Sequence, residues 1–408
     1  MTEEILYDAI VVGGGPAGST AAAFLSRKGR KVLLLEKEAW PRNKTCGDAI
    51  SGKSVGVLRE LGLTEELEKA DHGEVTGLTF SSPNGTVVTI PFKGSDGQIA
   101  KGYVCRRMVY DHILWNCAKS TCDAYDGTAV VGVIKNNGKI VGVKAKDKSG
   151  REMEFQGKII IGADGVSSLI AREIRGSEVD PQHTCIAYRA YYSGITGMNS
   201  TLEIHFVKSI MPGYFWIFPL EKGLANVGVG MVMSDMKKGN VNLHQAMLDI
   251  IQKNPLFKER FATATQASPI SAWSLPFGSK RRKVSGEGVL LVGDAAGLVD
   301  PFSGEGIGNA MTSGKIAAAI ADEALSKGDT SAEALAKYDQ ALWNEIGNEL
   351  QTSYAMQKLG RIEWLLNFVV NKAATSPKAR EAIAGTFSNE EAKRDYMSPL
   401  FYLRLLFL

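Results

Sequence analysis

The run Gly13-Gly14-Gly15-Pro16-Ala17-Gly18 constrains this chain more than any other feature. It contains G-x-G-x-x-G, follows an apolar stretch from Tyr7 to Val12 that reads as a buried strand, and opens an alanine-rich helix predicted over Ala17 to Lys28. The next predicted strand, Lys31 to Glu36, ends in an acid and completes one βαβ unit. In such a unit Gly13 permits the tight turn, Gly15 lets a pyrophosphate approach the backbone, and Gly18 lets helix and strand pack closely. The helix start, with Ala17 in its first turn, offers N–H groups and the positive end of the helix dipole to phosphates. Glu36 is placed to accept hydrogen bonds from an adenosine ribose. The motif alone does not separate NAD from FAD.

Of the 408 residues, 44% are hydrophobic and 22% charged, which argues against disorder, a collagen-like repeat or a polytopic membrane protein. At this length two domains plus an appendage are expected. The net charge is only +3, and the one tight basic cluster, Lys280-Arg281-Arg282-Lys283, reads as a solvated turn, so no nucleic-acid partner is expected. Cys46, Cys105, Cys117, Cys122 and Cys185 are odd in number and lack C-x-x-C spacing, so neither a disulfide framework nor a metal site is expected. No signal peptide precedes the first strand and no apolar run is long enough to span a bilayer, which predicts a cytoplasmic protein. The greasy stretch Pro399 to Leu408 is suited to docking on the protein's own groove or on a membrane, and so allows peripheral membrane contact.

Further along, Val75 to Phe92 reads as a hairpin with the turn Pro83-Asn84-Gly85, and a helix is predicted from Met108 to Ser120. Strands around Val130 to Val143 and Met153 to Phe155 suggest an antiparallel meander before an apolar strand, Ile159 to Ile161. Strands rich in Tyr, Phe, Val and Gly fill Thr184 to Ser274, interrupted by a helix over Leu243 to Gln252. Val289 to Val292 restores the first pattern, and an alanine-rich helix over Asn309 to Leu325 leads into a helical tail. The expected fold class is α/β. Residues 1–74, 101–178 and 280–330 would form a discontinuous Rossmann-type nucleotide domain, 75–100 and 179–279 an inserted antiparallel-sheet substrate domain, and 331–408 a helical C-terminal region.

A second segment narrows the ligand. Val289 to Val292 ends in Gly293-Asp294, and Asp300-Pro301-Phe302-Ser303-Gly304-Glu305-Gly306-Ile307-Gly308 follows. Asp294 at a strand end suits the ribityl hydroxyls of a flavin. Gly304, Gly306 and Gly308, with Ile307 among them at a helix start, present bare N–H groups suited to the pyrimidine edge, where reduced flavin carries its negative charge.

Gly13 to Gly18, Gly162-Ala163-Asp164-Gly165-Val166-Ser167-Ser168 and Gly293-Asp294 together resemble the three fingerprints of the glutathione-reductase-type flavoprotein class that includes para-hydroxybenzoate hydroxylase. The resemblance spans most of the chain and implies FAD. It further implies that Arg107, rather than Arg106, reaches the FAD, that Val130 contacts the adenine through its backbone, and that Asp164 is mainly structural. Within that class, Thr45-Cys46-Gly47-Asp48-Ala49 and Pro212-Gly213-Tyr214-Phe215-Trp216-Ile217-Phe218-Pro219 are similar to the Cys-Gly and Y-x-W-x-F-P elements of geranylgeranyl reductases. The likeness implies that Cys46, Gly47 and Ala49 lie against the flavin, with Cys46 a candidate catalytic residue, and that Tyr214, Trp216 and Phe218 line an isoprenoid cavity. These three alternate on a strand and share a face; taken alone, such a stripe is usually core, and a lone cysteine is usually inert packing. Leu220 stands where the family often has a basic residue.

The implied reaction saturates isolated C=C bonds of a geranylgeranyl or related polyprenyl group on a lipid, pigment or quinone, with hydride from reduced FAD and a proton from an acid the sequence does not identify. There is no second G-x-G-x-x-G, so NADPH, another electron donor or a reductant protein is expected to visit transiently. One rival is a flavin monooxygenase or halogenase of the same fold; a halogenase would usually carry W-x-W-x-I-P where this chain has Tyr214 to Pro219. The other is a non-catalytic flavin-bearing lipid-binding protein.

Overall fold

A computed structural model describes residues 6–93, 98–177 and 179–381, so Pro399 to Leu408 lie outside the described residues. The strand Leu6–Val12 sits at the centre of an eight-stranded sheet. Ala9, Ile10 and Val11 are completely buried because both sheet faces are covered, which is why the apolar run is unbroken rather than alternating. Val32–Leu35 and Asp123–Tyr125 follow in parallel on one side, and Glu152–Gly162 and Val289–Leu291 on the other.

Glu152–Gly162 is one continuous strand where two segments were expected. Its first half pairs antiparallel with Lys139–Asp147 in the meander, and its second half runs parallel to Leu6–Val12. Between the strands, the helices Pro16–Arg27 and Ile307–Lys327 meet at backbone distance: a Cβ on Gly314 would lie 2.3 Å from the Ala17 carbonyl oxygen.

The second large sheet contains Thr184–Ser193, Leu224–Val232, Tyr214–Pro219 and Leu202–His205, antiparallel in that order. The hairpin Gly77–Ser81 and Val87–Pro91 joins this sheet through a parallel pairing of Gly77–Ser81 with Leu202–His205. Alternation assigns the faces. Phe215 and Ile217, both fully buried, share a core with Met247 and Ile250 of the helix Leu243–Lys253, so the intervening residues point the other way.

The C-terminal helices divide between two cores. Ala332–Leu359 spaces Leu335, Tyr338, Leu342, Ile346 and Leu350 along one face, and all five belong to the core of the first sheet. The Tyr338 hydroxyl donates to the Leu291 carbonyl at 2.8 Å. Glu363–Thr375 instead packs Leu366, Val369 and Val370 against Leu78, Phe80 and Ile90 of the hairpin. The basic cluster is exposed at Arg281 and Lys283 and half-buried at Lys280 and Arg282. Lys280 pairs with Asp180 at 3.0 Å, Arg281 lies over the Trp343 ring, and Arg282 donates to the Phe277 carbonyl at 2.7 Å.

Candidate active site

A cavity of about 590 Å³, well within the range of small-molecule sites, is lined by strands of the second sheet and by the loops and helix starts that follow strands of the first. Two helix starts open into it, at Gly15, Pro16 and Ala17 and at Gly306 and Ile307. Gly15 and Gly306 are the N-caps of those helices and carry no side chain to satisfy the first-turn N–H groups, which leaves positive dipole ends for a bound anion. The Gly308 N–H is the exception, donating to Glu305 Oε1 at 2.5 Å. A Cβ on Gly15 would meet only Arg42 Nη2, at 3.4 Å, so the backbone there is open.

Cys46, Gly47, Ala49, Arg107, Asp294, Tyr214, Trp216 and Phe218 line the same cavity. Gly13, Gly18, Glu36 and Val130 do not. Gly13, at φ +106°, makes the turn, and a Cβ on Gly18 would fall 1.9 Å from the Gly13 carbonyl oxygen, so both glycines are packing requirements. Glu36 is buried and accepts the Gly14 N–H at 2.8 Å and the Glu38 N–H at 3.0 Å. Val130 lies on Thr128–Asn136, partly buried against the first core; the Thr128 N–H donates to the Glu36 carbonyl at 2.8 Å, which puts the start of that strand beside Glu36. Asp164 caps the helix Leu169–Arg175 by accepting the Leu169 N–H at 2.7 Å.

Arg107 is buried and grips Asp111 with both arms of its guanidinium, at 2.6 and 2.7 Å. Burial works against the Asp111 charge, but the Arg107 guanidinium nonetheless holds its carboxyl below the usual range. Arg106 turns instead to Glu221 at 2.6 Å. Two further basic residues, not singled out from the sequence, face the acids at the strand ends. Arg42 Nε lies 3.5 Å from Glu36, and Lys44 Nζ lies 3.2 Å from Asp294. Their sequence signal was faint: two basic residues in the loop after the acid.

The apolar wall follows from register. Tyr214, Trp216 and Phe218 stand opposite Gly230, Gly228 and Asn226 on the neighbouring strand. A Cβ on Gly228 would lie 2.3 Å from Trp216 Cζ2, so the indole lies where only glycine leaves room. Trp216 Nε1 donates to Asn226 Oδ1 at 2.9 Å, and the Tyr214 hydroxyl donates to the Ser303 carbonyl at 2.6 Å. Leu78, Phe80, Leu202 and Ile204 extend the apolar lining.

Asp48 is the main residue that sequence reasoning passed over. It lines the cavity, has no exposed surface, and holds a left-handed backbone at φ +67° that disfavours most side chains. Its Oδ2 accepts from the Tyr191 hydroxyl at 2.8 Å and from Asn226 Nδ2 at 2.7 Å, while Oδ1 accepts the Arg107 N–H at 3.3 Å. Burial pushes its carboxyl up to about 6, against the opposing pull of Arg189, Asn226, Tyr191 and Arg107. Arg189, also buried, stacks over Tyr191 at 4.1 Å, and its Nε has no hydrogen-bond partner among the described residues. Tyr191 and Asn226 lie 143 and 178 positions further along the chain, beyond the reach of any local pattern.

Two helix starts with glycine N-caps, acids at two strand ends, and basic side chains facing those acids are a donor and acceptor set that fits FAD. The fold and this cavity define an FAD-dependent oxidoreductase. A family profile described as an FAD binding domain matches residues 6–342. The chain is 31% identical to digeranylgeranylglycerophospholipid reductase 1 of Methanococcoides burtonii, over 86% of this chain and 83% of that one. Its fold is similar to a geranylgeranyl bacteriochlorophyll reductase-like protein of Thermoplasma acidophilum, with a TM-score of 0.80 and 24% identity over 96% of this chain and 98% of the other. It is also similar to a flavin-dependent brominase, with a TM-score of 0.75 and 22% identity over 94% and 93%. At those identities the likeness to the two solved structures concerns the fold alone. The chain belongs to the geranylgeranyl reductase family of FAD-dependent oxidoreductases. Among the described residues no helix is long and apolar enough to cross a membrane, and no group of three or more His, Cys, Asp or Glu could hold a metal.

Proposed function

We propose that this protein saturates isolated C=C bonds of geranylgeranyl or related polyprenyl groups carried on a lipid, pigment or quinone. The observation that carries the reading is the continuity of one cavity from the two helix starts to the aromatic wall of Tyr214, Trp216 and Phe218. Bound FAD, once reduced, supplies hydride to an alkene carbon. Gly13, Gly15, Ala17 and Gly18 build the turn and helix start that receive the pyrophosphate. Glu36 and the backbone of Val130 serve the adenosine end, and Arg107 and Asp294 serve the chain between the rings. Gly306 and Ile307 direct N–H groups to the pyrimidine edge, while Cys46, Gly47 and Ala49 form the opposite rim; Cys46 is the candidate catalytic thiol.

The three aromatic residues give a polyprenyl chain flat apolar surface and exclude water from the reacting bond. NADPH or a reductant protein recharges the flavin in a transient visit, and contact with a membrane surface delivers the lipid. The test is anaerobic turnover of dithionite-reduced protein with polyprenyl lipids, read by mass spectrometry. Each double bond should gain the mass of two hydrogens without oxygen. Unchanged lipid across several polyprenyl classes would overturn the reading, and an absolute need for oxygen would replace it with monooxygenase or halogenase chemistry.

A further inference from the structure

We propose that Asp48 is the acid that protonates the alkene carbon opposite the one receiving hydride. This rests on the reductase reading above. An isolated alkene has no carbonyl to take up charge, so a proton must arrive from a group that touches the cavity.

The other cavity acids are committed elsewhere. Asp294 is paired with Lys44, and Asp300 accepts the Phe302 and Ser303 N–H groups and the Ser303 hydroxyl. Glu305 caps the Ile307–Lys327 helix through Gly308, and Glu349 is paired with Lys53 at 2.6 Å. Asp300 is linked through Ser303 to Tyr214 at one end of the aromatic wall, whereas Asp48 is wired to Trp216 at its centre. Trp216 Nε1 donates to Asn226, and Asn226 Nδ2 donates both to Asp48 and to the Cys46 carbonyl at 2.7 Å. The carboxyl therefore sits where the Cys46-Gly47 turn meets the wall; a Cβ on Gly47 would lie only 3.2 Å from the Phe218 ring.

Oδ2 is occupied by two donors, and Oδ1, with one long bond, keeps a lone pair for the proton. The charged and titratable groups facing Asp48 are Arg107, Arg189, Tyr191 and Cys105. They offset part of the cost of full burial, which leaves the carboxyl at about 6, so it can both hold and release a proton in mildly acidic solution. In the step, the Oδ1–H bond breaks and a C–H bond forms at one alkene carbon, while hydride from the reduced flavin forms the other C–H bond. The alkene gains two electrons, the flavin loses two, and Asp48 is left as carboxylate, to be reprotonated after product leaves by a proton from water relayed through the Tyr191 hydroxyl that donates to it.

Asp48→Asn keeps the shape and, like aspartate, tolerates the left-handed backbone. The variant should bind FAD and accept electrons from dithionite, yet saturate the alkene on the order of 100-fold more slowly or worse. Wild-type turnover should fall as pH rises through about 6, and Asp48→Asn should lack that limb. Tyr191→Phe removes a donor to the carboxylate, so its limb should move to higher pH. Independently of turnover, infrared difference spectra of the wild-type protein should show a carboxylic-acid band that disappears over the same pH range and is missing in Asp48→Asn. A variant with wild-type rate and pH profile, or an unmoved limb in Tyr191→Phe, overturns the proposal even if Asp48→Asn folds poorly. Wild-type protein that leaves alkenes untouched would fault the reductase reading instead, while the infrared band would still report on Asp48.

Discussion

Lys44 Nζ lies 3.2 Å from Asp294 Oδ2, tying the loop before Cys46 to a strand end 250 positions further on. Both side chains are mostly shielded from solvent, and the ammonium also lies 5.4 Å from the centre of the Trp273 ring. In the proposed role for Asp294 its carboxylate turns to flavin hydroxyls, which frees the Lys44 charge for the anionic part of the dinucleotide. Lys44→Ala should therefore weaken FAD binding about tenfold, equivalent to about 1.4 kcal/mol, with Lys44→Arg recovering most of it. Fluorescence titration of apoprotein measures this; an unchanged Kd would remove Lys44 from the site.

Gly18 tests the turn. A Cβ there would fall 1.9 Å from a backbone oxygen, which has no rotamer by which to escape. Gly18→Ala should lose bound flavin and cost on the order of 3 kcal/mol of stability, seen as a lowered Tm and a colourless preparation. Gly56 is the matched control. It lies within the helix Gly52–Leu61, and a Cβ there would meet nothing within 4 Å, so Gly56→Ala should be neutral or stabilising by up to about 1 kcal/mol.

Trp216 separates packing from recognition. Trp216→Ala removes an indole that fills the space above Gly228, and should cost about 3–5 kcal/mol of stability besides raising KM for long polyprenyl substrates. Trp216→Phe keeps apolar surface but loses the donor to Asn226, so it should retain substrate affinity while lowering kcat. Steady-state kinetics on substrates of two chain lengths check both; a KM unaffected by either substitution would place the lipid elsewhere.

Asp48 also leaves a mark on stability. Its native pKa of about 6 exceeds the ordinary 3.8, so between those values the folded protein holds a proton that the unfolded chain has lost. The favourable contribution is complete below about pH 4 and is lost as pH rises through 6, by up to about 3 kcal/mol from this group. Asp48→Asn should remove that component, so the difference in urea midpoint between variant and wild type should change across this interval and stay constant above it. A difference that is the same at every pH would mean Asp48 does not titrate there.

By itself the sequence determined the features that depend on neighbours a few residues away. Glycines at 13, 15 and 18 between an apolar run and an alanine-rich helix specify a strand, a turn and a helix start, because backbone sterics and hydrogen-bond spacing act locally. Period-two alternation likewise put Tyr214, Trp216 and Phe218 on one face, and the tertiary structure has that face on the cavity. Only the tertiary structure decided how the C-terminal helices were divided between two cores. It alone showed that Asp48, one acid among many in the sequence, is buried against Tyr191, Asn226 and Arg189. The cost of desolvating a carboxylate is set by groups brought to it across the fold, and no pattern of adjacent residues encodes that arrangement.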